Sequence, residues 1–76
     1  MGYEELKNIF ETSHKLKFKL YSLEYMIDII NKKTVIYAVD YPTRKNVYNS
    51  FDELMNTYTV YNEELITLVN KISILD

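Results

Sequence analysis

The chain has 76 residues, no cysteine and a net charge of −2. That length makes one domain with one core, hiding only about 60% of the surface its unfolded form exposes. Without cysteine there is no disulfide framework and no thiolate metal site, and a reducing compartment is expected. A pI near 5.3 argues against whole-molecule attraction to nucleic acid or anionic lipid.

The 47% of apolar residues are enough for a folded core. No apolar run approaches the roughly 18 residues needed to cross a bilayer. Glu4 and Glu5 stand where a signal peptide would be positive, and Leu6 stands where a myristoylation pattern needs Ser or Thr. The expectation is a soluble, cytoplasmic, single domain over residues 1–76. Eight lysines against one arginine, with abundant Asn, Ile and Tyr, suit the codons of an AT-rich bacterial or phage genome.

Residues 3–13 read as a helix, with Tyr3, Leu6, Ile9 and Phe10 on one face and Glu4 and Glu5 in the dipole-favoured first turn. Residues 15–21 alternate strictly, which predicts a strand with Leu16, Phe18 and Leu20 inward and three lysines in water. Residues 24–31 fit two periods. Tyr25, Ile27 and Ile29 make a strand face, while Leu23, Met26, Ile27 and Ile30 make a helical stripe; Ile and Tyr favour the strand. Residues 34–41 are β-branched and aromatic, and predict a third strand.

Tyr41-Pro42-Thr43-Arg44 reads as a type I turn leading to a short antiparallel strand at 46–49. Ser50 and Glu53 have capping-box spacing for a helix at 51–57. Asn62 is placed as the cap of a last helix over 62–73, with Glu63 and Glu64 in its first turn and a buried stripe of Leu65, Leu68, Val69 and Ile72. Gly2 is the sole glycine, so longer loops than the tight glycine-dependent hairpins are expected, with Asn31 a candidate left-handed residue. Grouped strands imply an α+β fold: an antiparallel meander of three to four strands with terminal helices on one face.

Catalytic chemistry finds little support. His14 has no metal-ligand spacing around it and sits at a helix end. The pairs Glu4/Glu5, Asp52/Glu53 and Glu63/Glu64 all fall in expected first turns, and Asp28 and Asp40 are the one pair that could meet across strands. One glycine cannot build a phosphate-cradling loop, so no enzyme activity, catalytic residue, cofactor or metal is expected.

Two surfaces remain. Lys15, Lys17 and Lys19, about 7 Å apart on one strand face, could follow a phosphate backbone, or simply protect a sheet edge. Eight tyrosines exceed what a core this small can hide with every hydroxyl satisfied. Tyr41, Arg44 and Tyr48 around the Pro42 turn, and Tyr58 and Tyr61 before the last helix, are therefore the candidate protein-binding residues. The segment NVYNSFDEL, Asn46 to Leu54, resembles small phage and mobile-element proteins of low-GC bacteria; the likeness covers a strand-to-helix junction and no functional motif. The leading reading is a non-enzymatic protein-binding module, inhibitor or accessory factor, acting on a protein partner or as a homo-oligomer. The alternatives are a nucleic-acid-associated regulator using the lysine strand, and an enzyme subunit whose site forms only in an oligomer.

Overall fold

A computed structural model describes residues 2–75. Helix α1 (Tyr3–Ser13) leads into strands β1 (Lys15–Leu20), β2 (Leu23–Ile30), β3 (Lys33–Ala38) and β4 (Asn46–Tyr48). Helix α2 (Phe51–Thr57), a small hairpin β5 (Thr59–Val60) and β6 (Glu63–Glu64), a 3₁₀ helix (Leu65–Lys71) and β7 (Ser73–Leu75) follow. The main sheet is antiparallel in the order β4-β3-β2-β1-β7. The fold is thus α+β, with one strand more than the meander expected from sequence.

Alternation fixes what is buried. Leu16, Phe18 and Leu20 of β1 pair with Ile27, Tyr25 and Leu23 of β2, and Ile27 pairs with Ile36 of β3. Against this face lie Leu6 and Phe10 of α1, Phe51, Leu54 and Met55 of α2, and Leu65, Leu68 and Val69 of the 3₁₀ helix. Phe10 and Phe51 stack at 4.8 Å, joining the two helices. The segment with two possible periods is a strand because the sheet rewards its β-branched and aromatic residues on both sides. Residues 41–44 close their turn with Arg44 N–H donating to the Tyr41 carbonyl at 3.0 Å. Ser50 caps α2 by accepting from Glu53 N–H at 3.0 Å, while Glu53 reaches back to Asn49 N–H at 3.2 Å.

Three expectations need correction. The segment 62–73 is not one helix: Asn62 lies in a hairpin turn, Glu63 and Glu64 form β6, and Ser73–Leu75 completes the sheet beside β1. The expected stripe Leu65, Leu68, Val69 and Ile72 is nevertheless buried, because spacings of three and four serve a 3₁₀ helix and its exit as well as an α-helix. Second, the loops are short. The β1–β2, β2–β3 and β5–β6 connections each leave two residues unpaired, at Tyr21-Ser22, Asn31-Lys32 and Tyr61-Asn62. Tyr21, Asn31, Lys32, Tyr61 and Asn62 have positive φ, so the turns close without glycine, through backbone conformations that tyrosine and lysine disfavour. Third, Asp28 pairs in register with Val35, whereas Asp40 lies past Ala38, which pairs with Tyr25. The two carboxylates therefore belong to opposite ends of the sheet.

Candidate functional site

Among the described residues, no three His, Cys, Asp or Glu side chains gather to hold a metal, and no helix is long and apolar enough to cross a membrane. His14 caps α1 in the left-handed region, its N–H donating to the Phe10 carbonyl at 2.7 Å. One cluster of titratable side chains joins two helices. Asp52, in the first turn of α2, accepts from the Tyr3 hydroxyl and from Lys7 Nζ, the latter at 2.9 Å. The Tyr3 hydrogen bond, helped by Lys7, holds the Asp52 carboxyl below its ordinary range; burial and the Asp52 hydrogen bond raise the Tyr3 phenol. Every group is satisfied by another, which is a helix-to-helix clamp.

The lysine row faces water as expected, yet its charge is offset. Lys15 Nζ lies 3.7 Å from Asp28 and Lys17 Nζ 3.6 Å from Glu24, both carboxylates being carried by the neighbouring strand. An open cleft of about 390 Å³ on this face is lined by Ser13, Lys15, Lys17, Met26 and Leu75.

The tyrosines divide into two groups that local sequence could not separate. Tyr25 is buried against Phe18, and Tyr58 meets it edge-on at 6.4 Å. Tyr48 pairs with Thr34 on the inward side of β4 and packs on the core. Burial raises the phenol pKa of Tyr25, Tyr48 and Tyr58, in keeping with rings that seal the core. Of the residues singled out from sequence, Tyr48 and Tyr58 therefore point inward, while Tyr41, Arg44 and Tyr61 are exposed.

The exposed group gathers at one end of the sheet. Tyr21 is at the tip of the β1–β2 hairpin and Tyr61 at the tip of β5–β6, with ring centroids 5.2 Å apart. They remain 42% and 72% exposed although they touch. Lys71 Nζ stands 5.7 Å from the Tyr21 ring. Leu23, opening β2, is also exposed. Val39 N–H donates to the Glu24 carbonyl at 2.9 Å, which brings the turn after β3 to this same end. There Tyr41 is 54% exposed, under the Arg44 guanidinium at 5.2 Å. Tyr48, by contrast, lies toward the opposite end, so the expected grouping of Tyr41, Arg44 and Tyr48 is split. Sequence reasoning placed Tyr21 on the lysine strand and missed Leu23 and Lys71. The available signal was Tyr-Ser between two alternating runs, a two-residue hairpin spacing.

Comparison with protein-family models, with curated proteins and with solved structures found no match.

Proposed function

We propose that the chain is a non-enzymatic module that works by binding another protein, and that the tyrosine-tipped end of the sheet is its contact surface. The observation that carries this reading is the placement of Tyr21 and Tyr61. Both are large, exposed aromatic residues in contact with one another, and both occupy turn positions at positive φ, with values of 57° and 53°. A side chain with a Cβ costs about 1–2 kcal/mol in the left-handed conformation, so glycine or asparagine would serve the fold better at either tip. Backbone held against preference beneath an exposed aromatic pair is a reason to look for function there. The chemistry suits protein recognition: Tyr and Arg are the side chains that dominate interface energetics, and these rings sit on hairpin tips with few free torsions to lose.

The nucleic-acid reading is weaker, because Lys15 and Lys17 each face a carboxylate of this chain. The test is a partner titration with Tyr21→Ser and Tyr61→Ser together. Binding should fall at least tenfold while the thermal midpoint holds or rises. Undiminished binding by a folded double variant would move the contact surface elsewhere.

A further inference from the structure

The helices cover only one face of the main sheet; no helix among the described residues lies on the other. Register fixes what that open face displays. One row runs Leu75, Lys17, Met26, Tyr37 across β7, β1, β2 and β3. The next runs Lys15, Asp28, Val35, Val47 across β1 to β4, and a third runs Ser73, Lys19, Glu24 across β7, β1 and β2. Read along the strands, the face carries a lysine column on β1 and a column of two carboxylates on β2; outside them Leu75 and Val47 are apolar, Val35 is already buried, and Lys45 Nζ stands 5.0 Å over the Tyr37 ring.

We infer that this face is self-complementary and that its occupant is a second copy of the chain. A two-fold axis parallel to the strands, set between β1 and β2, lays the lysine column of each copy over the acidic column of the other. Lys15, 3.7 Å from Asp28 of its own chain, then also faces Asp28 of the second copy, and Lys19 faces its Glu24, which Lys17 of its own chain approaches at 3.6 Å. In the middle row, the Lys17 stem covers Met26 and Leu75 covers Tyr37. Each contact occurs twice, as an isologous interface requires. The strands of the two sheets stay nearly aligned, the usual geometry when sheets pack face to face. The same stripes argue against a different partner of uniform charge, since three lysines beside two carboxylates give the face little net sign.

The contact is small. Four strands by about five residues make a footprint of roughly 19 by 17 Å, about 320 Å² per copy, well below the roughly 800 Å² per partner of a standard interface. The dimer is therefore weak, salt-sensitive and independent of the aromatic end.

Sedimentation equilibrium of paired charge-reversal variants tests this. For the wild type, the weight-average mass should climb from 9.1 kDa toward twice that value as concentration rises. The rise should fall between about 10 μM and about 1 mM. Lys15→Glu with Lys19→Glu makes both central columns acidic, and Glu24→Lys with Asp28→Lys makes both basic. Each variant alone should remain monomeric over that range, and an equimolar mixture should recover a one-to-one dimer at least as tight as the wild type. Glu4→Lys with Glu5→Lys, carrying the same change of charge on α1, should neither weaken the wild-type dimer nor pair with the acidic variant. If circular dichroism shows either double variant unfolded, Lys19→Glu and Glu24→Lys, both at exposed positions, replace them in the same pairing. A wild type that stays monomeric at 1 mM overturns the inference. So do folded reversed variants that still dimerise alone, or a mixture that does not associate. Tyr21→Ser with Tyr61→Ser should leave this dimer unchanged, which separates it from the proposed binding function.

Discussion

Converting the β5–β6 tip from Tyr61-Asn62 to Asn-Gly tests whether the exposed tyrosine serves the fold or something outside it. The two positions have φ values of 53° and 66°, the pattern of a type I′ turn, for which Asn-Gly is the favoured pair. Moving Tyr61→Asn relieves part of a strain of about 1–2 kcal/mol, and Asn62→Gly removes the remaining Cβ penalty at the second position. Against this stand the greater freedom of glycine in the unfolded chain, about 0.5–1 kcal/mol, and the lost ring contact with Tyr21. That contact is worth at most about 0.5–1.5 kcal/mol for a buried pair, and less at 72% exposure. The net expectation is a gain of roughly 0.5–1 kcal/mol, which in a domain of this size raises the thermal midpoint by about 2–8 °C. Thermal and urea melts read the gain, and a partner titration of the same variant should show weakened binding. A loss of 1 kcal/mol or more would refute the reasoning, because it would make the Tyr61 ring part of the support of the fold.

Core truncation should act in the opposite sense: Phe18→Ala or Leu68→Ala costs about 2–5 kcal/mol by urea titration, enough to unfold much of a marginal domain. Stability against pH should form a plateau from about pH 4 to about pH 10. Asp52 has a folded pKa below its reference of 3.8, so its contribution is present above that value and is lost as pH falls through the folded pKa. Tyr25, Tyr48 and Tyr58 have folded pKa values above 10.0, so theirs is complete below that pH and is lost as pH rises through the folded values. Asp52→Asn should flatten the acid limb and, by releasing the Tyr3 phenol, part of the alkaline limb, whereas Tyr58→Phe should flatten part of the alkaline limb alone, read as the urea midpoint at each pH; the acid effect is small because Asp52 is half exposed. A gel shift at about 150 mM salt should show no DNA complex, and Lys15→Glu, Lys17→Glu and Lys19→Glu together should leave partner binding intact.

Where a segment's structure follows from its own period, the sequence is sufficient. The apolar face of α1, the alternation of β1 and the Ser50–Glu53 cap are all present as read. The C-terminal segment shows the limit. Leu65, Leu68, Val69 and Ile72 carry helical spacing, but Ile72-Ser73-Ile74-Leu75 is also β-prone, and the free edge of β1 recruits it. That edge is distant in sequence, so no local signal announces it. The same holds for the turns. Two-residue hairpin closure, by the longer strands β1 to β3 and by the short pair β5 and β6, puts Tyr21, Lys32 and Tyr61 into conformations that their own preferences oppose. Strand parity then decides the fate of the tyrosines: Tyr25 and Tyr48 turn inward, while Tyr21 and Tyr61 at the tips cannot. The candidate surface was thus half legible. Tyr41, Arg44 and Tyr61 could be named, but their association with Tyr21, Leu23 and Lys71 depends on which sheet end each hairpin reaches.

Site-specific photo-cross-linking tests the proposed binding surface most directly. A benzophenone side chain replacing Tyr61 or Tyr41 sits at the aromatic end, and one replacing Lys32 sits at the opposite hairpin. Positions 61 and 41 should cross-link the same protein partner in cells of the source, with position 32 silent. A partner captured from position 32 but from neither 41 nor 61 would contradict the assignment.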